Sequence, residues 1–467
     1  MSTSRNRIIY QSQALFIAPN STGFQLQSGS PGSIDQHGQL SPATIGNNGW
    51  TGITGFTSAI AAGGVVRSLL TPIERVQSAN FNFSINRQDI NEFGKLARID
   101  SIVVDAPTVG LDFNYYLTDG GNERKMGFNV PTSAAGRTNV STDAYNTGDL
   151  CMSGFSALSG LIDDSQGNNY YIIVSKEGTD VHGDTVTATS GDFSVVSIGN
   201  GFISDYSIEC AVGSLPTASV SVEAFNIKVD EVVSGDYVGG TYPYAPYVPA
   251  VDTLNGLYNT GGAAVNQFAL GGTLNTTGYA PDISAIRPGD LTLTISNAEN
   301  HQGLIDLAGD GKAHIQSFSI GIPMSRTVLQ RLGNTFGYAR VIDLPLTMDV
   351  SVSAVVSELK KNNLFTQLCE NAEVDFTLDL HQFDCATNSL GDNRLSFSVK
   401  KARLDSETFS NAIGDNQTAD LTFSCQVGGA NDTGNGIFMS GSYRLWNTLA
   451  FFPLGSLKDP AASYNYP

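Results

Sequence analysis

The side chains that could catalyse a reaction or bind a metal ion are few and dispersed along this chain. No His-Glu-x-x-His motif, His-x-His pair or closely spaced cysteine pair brings two of them together. The histidines are His37, His182, His301, His314 and His381, and the cysteines are Cys151, Cys210, Cys369, Cys385 and Cys425. An odd number of scattered cysteines does not indicate a disulfide framework. We therefore expect no metal centre, no cofactor and synthesis in a reducing compartment.

Three carboxylates stand on one face of a predicted strand, where a pair of them could act as general acid and base. They are Glu373, Asp375 and Asp379, and large apolar residues alternate with them. This alternation favours the wet side of an amphipathic strand over a catalytic site. Residues 163–168 lack the glutamate that closes a calcium loop, and residues 309–312 lack the first glycine and the hydroxyl residue of a phosphate loop. We therefore expect that the protein is not an enzyme.

The composition is acidic but poor in charged residues. Of 467 residues, 44 are Asp or Glu and 25 are Lys or Arg, which gives a formal net charge of −19. Hydrophobic residues make up 41% and charged residues only 15%, so the chain can bury a core and does not have the composition of a disordered protein. The acidic balance argues against phosphate binding, which requires clusters of Lys and Arg. The sequence shows no secretory signal and no apolar run long enough to cross a bilayer, so we expect no membrane association.

A segment near residue 76 recurs near residue 315. Residues 76–94 read VQSANFNFSINRQDINEFG, and residues 315–333 read IQSFSIGIPMSRTVLQRLG. The positions that agree without a gap are Gln77, Ser78, Arg87 and Gly94 with Gln316, Ser317, Arg326 and Gly333. The alternation of apolar residues agrees as well, and similar predicted strands follow each copy in the same order. The sequence therefore indicates an internal duplication.

The duplication divides the chain into two modules of similar size. Residues 236–250 are rich in Tyr, Pro and Gly, which is typical of an extended linker. We therefore predict a first module over residues 1–235 and a second over residues 251–467, which ends in a C-terminal arm. The first module has a polar insert, residues 118–146, that the second lacks. We expect this insert to be a long projecting loop.

Both modules are predicted to be mainly β, with one flanking helix each. Short runs of alternating apolar and polar residues, bounded by turn residues, predict strands throughout. Apolar residues at helical spacing predict a helix from Leu150 to Ile162 in the first module and one from Val355 to Cys369 in the second. The predicted fold is therefore two tandem β-sandwiches or barrels.

Each predicted strand has one apolar and one polar face, because residues two apart lie on the same side. The apolar faces include Phe81, Phe83 and Ile85, which we expect in the core. The polar faces hold small hydroxyl, amide and acidic residues, with Lys400 as their one cation. Such faces fit either the outside of a plain two-layer sandwich or the lining of a water-filled channel for a polyanion. In a channel, each lysine or arginine would retain phosphates, so few are expected.

The order of these elements resembles the tail tube (major tail) proteins of long-tailed bacteriophages. The segments VQSANFNFSINRQDINEFGKLARID, from Val76, and YSIECAVGSLPTASVSV, from Tyr206, carry the resemblance, which covers about residues 60–235 and 300–430. The family fold is a β-sandwich flanked by a helix, shared with inner-tube proteins of contractile injection systems. Family members stack as hexameric rings. The resemblance implies that a duplicated chain builds a pseudo-sixfold ring from three subunits.

The resemblance also implies a structural protein of the virion tail, made in the cytoplasm of the host bacterium. Trimeric rings would stack into a tube and join the tape measure, terminator and baseplate proteins, and DNA would pass through without specific binding. The insert would contact an adjacent subunit or the next ring, and Lys400 would be turned outward or neutralised locally. The residues expected to line the channel are Asp112, Asn114, Asp205, Glu209, Ser219, Glu223, Asp349, Ser351, Asp420 and Ser424.

Other non-enzymatic classes stay open at this point. A capsid decoration protein or a baseplate hub protein is also a β-rich part of a virion. A β-sandwich adhesin or carbohydrate-binding module would need a secretory signal and clustered exposed aromatic residues. Aromatic residues cluster only between Tyr237 and Tyr247. Hollow tubes or stackable rings of the purified protein would favour a tail tube, whereas monomers would favour the other classes.

Overall fold

The computed structural model places a defined set of segments, to which all structural statements below refer. These are residues 13–19, 71–105, 107–130, 156–158, 161, 168–174, 193–232, 244–247, 267–269, 286–296, 304–305, 313–330, 332, 339–357, 359, 372–384, 389–411, 416–429 and 432–442. Of the predicted linker, only residues 244–247 belong to this set, and they form a strand.

The described chain is mainly β, as the alternating pattern predicts. The strands of the first half are β1 (Gln13–Pro19), β2 (Thr71–Pro72), β3 (Val76–Ser84), β4 (Arg87–Ile90), β5 (Asp100–Val103), β6 (Thr108–Tyr116), β7 (Asn168–Val174), β8 (Phe193–Ala211), β9 (Thr217–Ala224), β10 (Asn226–Val232) and β11 (Tyr244–Tyr247). Those of the second half are β12 (Gln267–Ala269), β13 (Leu291–Ser296), β14 (Ala313–Pro323), β15 (Arg326–Leu329), β16 (Ala339–Ile342), β17 (Leu346–Val356), β18 (Val374–Asp384), β19 (Ser389–Ser410), β20 (Thr418–Val427) and β21 (Gly436–Gly441). A short α-helix, α1, spans Gly121–Met126, and a 3₁₀ helix spans Pro288–Asp290.

Eight strands form a continuous antiparallel sheet, called the central sheet. Their order is β3-β6-β9-β8-β14-β17-β20-β19. The first four strands come from the first half of the chain and the last four from the second half. The β8–β14 pair therefore joins the two halves within one sheet.

Two long strands leave the central sheet and continue into flanking sheets. The first part of β8 pairs with β7 and β10, and β7 pairs with β1. The first part of β19 pairs with β18 and β21, and β18 pairs with β13. Near each change of sheet stands a residue with positive φ, Asn200 at 54° and Lys401 at 61°. Such a left-handed residue lets a strand turn sharply and pass from one layer to the other.

The core lies between the central sheet and the flanking sheets. In the first half, the ring centroids of Phe113 on β6 and Tyr170 on β7 are 6.2 Å apart. In the second half, Phe376 on β18 lies 4.9 Å from Phe423 on β20, edge to face. These side chains are buried, and burying one such apolar side chain contributes about 1.5–3 kcal/mol. Aromatic packing of this kind holds the layers together in both halves.

The strand pairings recur along the chain. In the first half the neighbours are β3-β6-β9-β8, and in the second half they are β14-β17-β20-β19. A two-stranded hairpin lies between the first two strands of each set: β4–β5 over 87–103 and β15–β16 over 326–342. The segments that repeat in sequence, 76–94 and 315–333, therefore begin the same arrangement of strands.

Two expectations from the sequence change in the strands. Phe81, Phe83 and Ile85 are not in the core of this chain, because no described element covers their side of β3, and they are 44%, 61% and 43% exposed. Val355 and Val356 end strand β17 rather than begin a helix. The rest of that predicted helix is outside the described residues apart from 357 and 359, and most of the Leu150–Ile162 helix is also outside.

The polar insert of the first half does not project over its first part. Thr118 and residues 121–130 are buried, and helix α1 lies within them. Their burial follows from three apolar side chains, Met126, Phe128 and Val130, which join the core. Residues 131–146, the remainder of the insert, are outside the described residues, so a projection of that part stays a prediction.

Candidate functional site

One side of the central sheet is polar along its whole width and is called the polar face. All ten residues that the sequence predicts as channel lining lie on it, exposed or half-buried, and the residues that alternate with them are buried, apart from the half-buried Ser204 at a bulge. They are Asp112 and Asn114 on β6, Ser219 and Glu223 on β9, Asp205 and Glu209 on β8, Asp349 and Ser351 on β17, and Asp420 and Ser424 on β20.

Polar residues meet directly across the strand pairs of this face. One row consists of Asn114, Ser219, Ser207, Gly321, Asp349 and Ser424. A neighbouring row consists of Glu209, Ser319, Ser351 and Thr422. Both rows cross the β8–β14 pair. Because register fixes which side chains share a face, the two halves of the chain contribute to one uninterrupted polar surface.

The polar face is acidic. Its carboxylates are Asp112, Asp205, Glu209, Glu223, Asp349 and Asp420. Among described residues paired within the central sheet, Arg403 is the one lysine or arginine on this face, and the exposed His314 lies on it opposite Val355. Arg403 lies opposite Ser424 on the last strand and forms an ion pair with Glu373 at 2.9 Å. A polyanion near this surface would therefore meet repulsion and few cationic partners.

Lys400 lies off the polar face. It belongs to the part of β19 that pairs with β21, opposite Gly436. Its ammonium lies 4.3 Å from the centre of the Phe438 ring and donates a hydrogen bond to the carbonyl of Thr433 at 3.4 Å. Lys400 is therefore not among the residues of the polar face, and the expectation that its strand is turned outward or its amine neutralised locally stays a prediction.

Short hydrogen bonds between strands hold several side chains of the polar face in place. Ser221 Oγ donates to a carboxylate oxygen of Asp112 at 2.7 Å, and Ser78 Oγ donates to the amide oxygen of Asn114 at 2.8 Å. At Asp205, partial burial raises the pKa of the carboxyl above its ordinary value. The face is therefore a hydroxyl-rich surface whose acids are partly engaged by neighbouring strands.

Beneath the polar face, one buried carboxylate joins the same strands from the other side. Tyr115 on β6 and Tyr206 on β8 donate hydrogen bonds to Glu123 Oε1 at 2.7 and 3.2 Å. Burial raises the pKa of the Glu123 carboxyl, although both hydrogen bonds act in the opposite direction. Burial also raises the pKa of both tyrosines well above their ordinary value. This cluster anchors helix α1 to the central sheet and is not accessible to a substrate.

The two halves of the chain meet at what is called the internal junction: the β8–β14 pair together with the β15–β16 hairpin. Gly321 lies opposite Ser207 in this pair. The hairpin follows β14 and lies against the first half, where Arg326 Nε donates a hydrogen bond to the carbonyl of Ile203 at 3.2 Å. Backbone pairing and an arginine anchor thus fix this contact together.

The hairpin also covers the end of the polar face. Val328 packs against Phe202 and Phe225, and Arg340 forms an ion pair with Glu223. The guanidinium of Arg340 lies 4.5 Å from the centre of the Phe225 ring. The sequence predicts few lysines or arginines along the polar faces, and the pairing of Glu223 with Arg340 is an exception to that expectation. This arginine belongs to the hairpin, whose position cannot be read from strand alternation.

The remaining chemically capable side chains have structural contacts. Asp379 accepts hydrogen bonds from Ser396 and Asn393, and Asp375 accepts one from the backbone of Lys401. Burial raises the pKa of Cys210 to about 12 and that of Cys425 to about 11, so neither thiol is a nucleophile near neutral pH. Within the described segments, no group of three or more His, Cys, Asp or Glu side chains is placed to hold a metal ion.

Sequence reasoning found the polar face but missed the Glu123 cluster and the internal junction. The repeat carries a partial signal for the junction, because Arg87 and Arg326 align in it without a gap. No comparable signal marks Glu123, which stands in a polar stretch that predicts a loop. Comparison with known protein families and with curated proteins finds no match for this chain. No helix in the described part of the chain is long and apolar enough to span a membrane.

Proposed function

We propose that this chain is a structural protein of a bacteriophage tail tube. The observation that carries the proposal is the polar face, which spans eight strands, joins both halves of the chain and is acidic. Such a wall suits a water-filled channel for DNA, because phosphates are repelled from it and find few cations to pair with.

The recurring strand pairings support two tandem tube modules in one chain. Each module would contribute four strands to the wall of the tube, so three chains would form a pseudo-sixfold ring of β-structure. The rings would stack into the tail of the virion and contact the tape measure, terminator and baseplate proteins. The chain itself would have no catalytic role, cofactor or metal.

Electron microscopy of the purified protein tests the architecture. The proposal expects hollow tubes or stackable rings with three chains each. Rings of six chains would contradict the duplicated-module interpretation, and solely monomeric particles would contradict the tube itself. Monomers would favour a decoration protein or a binding module instead.

Charge reversal in the phage tests the channel. Glu209→Lys and Asp349→Lys place cations at the centre of the polar face, and we expect assembled tails that eject DNA more slowly, because phosphates pair with the new ammonium groups. The matched controls are Glu209→Gln and Asp349→Asn, which remove the same charges without adding cations and should eject nearly as fast as the parent. Unchanged ejection by correctly assembled lysine variants would contradict a channel role for this face.

A further inference from the structure

The strand that enters the internal junction has a counterpart in the first half of the chain. Strands β3 and β14 belong to the repeated segments, and each pairs with its next strand through a bulge after Val76 and after Ile315. Each is followed by a hairpin, which begins at Arg87 and at Arg326. The β3 strand with its β4–β5 hairpin is therefore the structural equivalent of β14 with the β15–β16 hairpin.

The strand that receives β14 has a counterpart as well. Strands β8 and β19 are both long and both pass from a flanking sheet into the central sheet after a residue with positive φ, Asn200 and Lys401. Both then pair with the following strand through a bulge, after Ile203 and after Leu404. The end of β19 is therefore the equivalent of the end of β8, which holds the internal junction.

Both counterparts are open edges of the central sheet. In the described part of the chain, β3 pairs only with β6, and residues 404–410 of β19 pair only with β20. The surface beside β3 is apolar: Phe81 and Phe83 are 44% and 61% exposed, and Phe93 and Leu96 in the β4–β5 hairpin are fully exposed. An open strand edge next to an apolar patch marks a surface that another chain covers.

We propose that β3 and the β4–β5 hairpin of one copy of this chain dock on β19 of a second copy, with the register of the internal junction. The occupant is a second copy because the two open edges are the equivalents of two edges that already fit each other inside the chain. Such a head-to-tail contact repeats the internal junction and closes into a ring when the rotation permits. The inference rests on the proposed function for the closure at three copies, and on the strand register for the contact itself.

The internal junction fixes which residues meet. Because Gly321 lies opposite Ser207 and Ile320 opposite Ile208, the equivalent pairs between copies are Asn82 with Thr408 and Phe81 with Phe409. Asn82 and Thr408 lie on the polar face, so the face continues without a break into the next copy. Phe81, which is exposed in the isolated chain, becomes covered beside Phe409 on the apolar side.

The hairpin contact changes from apolar to charged in a complementary way. Asp89 is the equivalent of Val328. Arg403 and Gln426 are the equivalents of Phe202 and Phe225, the two phenylalanines that Val328 contacts. Asp89 pairs with Arg98 at 3.0 Å and Arg403 with Glu373 at 2.9 Å within the chain, so an acid and a base that are each already paired meet in the proposed contact, together with the amide of Gln426. The internal junction has three apolar side chains at these positions. Charged groups suit a contact whose two surfaces are exposed to water before assembly, whereas the internal junction forms once, during folding.

Disulfide trapping tests the register. Asn82→Cys with Thr408→Cys places two cysteines opposite each other between copies, within the Cα separation that a disulfide spans. Asn82→Cys with Asp420→Cys is the matched control, since Asp420 lies opposite Thr408 one strand further on and would be about 10 Å away. Ser207→Cys with Gly321→Cys is the positive control, because this pair lies within one chain and the added Cβ of residue 321 meets open space.

The expected result is a ladder of covalent dimers and trimers on non-reducing gels for the Asn82–Thr408 pair. The Asp420 control and each single variant should give no ladder, and the positive control should give a monomer of altered mobility. Rings or tubes seen by electron microscopy without the ladder would contradict the proposed contact between copies and leave the proposed function unaffected. A ladder without rings or tubes would support the proposed contact between copies and contradict the proposed tail-tube function. A protein that stays monomeric without any ladder would contradict the proposed contact between copies.

Discussion

The two faces of the central sheet use acidic residues in opposite ways. On the polar face, Asp112 and Asp349 are exposed to water. On the buried face, Glu123 is enclosed, and Tyr115 and Tyr206 donate to one of its oxygens. The same two strands, β6 and β8, supply residues to both faces, because side chains alternate along a strand.

The buried and exposed carboxylates differ in how strongly the fold constrains them. A buried carboxylate requires hydrogen-bond donors, so its partners belong to the fold and cannot be changed freely. An exposed carboxylate has few such requirements, so the composition of the polar face is free to suit a ligand or a passing polyanion. Substitutions on the buried face should therefore act on the free energy of unfolding, and those on the polar face should leave it nearly unchanged.

The largest expected effect is at the centre of the buried face. Phe423→Ala removes a phenyl ring that is fully buried against Phe376, and we expect the free energy of unfolding to fall by about 3–5 kcal/mol. Thr422→Ala changes the adjacent residue of the same strand, whose side chain lies on the polar face. This variant should change the free energy of unfolding by less than about 0.5 kcal/mol. Guanidinium unfolding of both variants measures the contrast. Equal losses would show that the two faces are not energetically distinct.

The next effect concerns the enclosed carboxylate. Glu123→Ala removes the acceptor of two buried tyrosine hydroxyl groups, and we expect a loss of about 1–3 kcal/mol in the free energy of unfolding. Glu123→Gln keeps an oxygen that can accept these bonds and should cost much less. Urea unfolding at pH 7 distinguishes the two. A glutamine variant as unstable as the alanine variant would show that charge, and not the acceptor oxygen, is what the site needs.

The pH dependence of stability sharpens the same comparison. Burial raises the pKa of Glu123 above its ordinary value of 4.5, so the folded chain holds this proton at higher pH than the unfolded chain. The contribution of Glu123 to stability is therefore greatest below the ordinary pKa and decreases as pH rises through the raised one. The nearby Asp119 has the same sign, because burial raises its pKa too.

The Glu123→Gln variant isolates this contribution. The parent should gain stability relative to the variant as the pH is lowered from 7 towards 5, and unfolding of both proteins across this range measures the difference. Asp119 titrates in both proteins and largely cancels. A difference that stays constant with pH would mean that the Glu123 carboxyl titrates normally in the folded chain.

The polar face could be predicted because alternation requires no knowledge of distant contacts. Each pair such as Asp349 and Ser351 stands two residues apart between residues that need a core, so its side of the strand follows from the sequence. The recurrence of the strand order could be predicted for a similar reason, since the repeat around Arg87 and Arg326 is gapless. Local pattern is sufficient for both.

The position of the hairpins and of helix α1 could not be predicted in this way. Whether Phe81 is covered depends on a neighbouring edge and not on its own strand, which is why an apolar face proved exposed. Glu123 and Lys125 read as part of a polar loop, yet Tyr206 and Glu74 partner them from positions far away in sequence. Long-range hydrogen bonds of this kind leave no periodic signal.

The smallest expected effects are on the polar face itself, and they should differ between two aspartates. Asp349 is exposed on the polar face, so Asp349→Asn should leave the free energy of unfolding within about 0.5 kcal/mol of the parent value.

Asp205 is half-buried, and burial raises the pKa of its carboxyl, so its charged form is disfavoured in the folded state at neutral pH. Asp205→Asn removes that charge with little change in shape and should raise the free energy of unfolding slightly at pH 7. The gain should vanish at low pH, where the parent carboxyl is protonated in both states. Urea unfolding of both variants at pH 7 and well below pH 3.8, the ordinary pKa of an aspartate, measures this. A loss of stability in Asp205→Asn at pH 7 would show that the charge of Asp205 contributes to the fold, and the contrast between the two faces would then fail at this position.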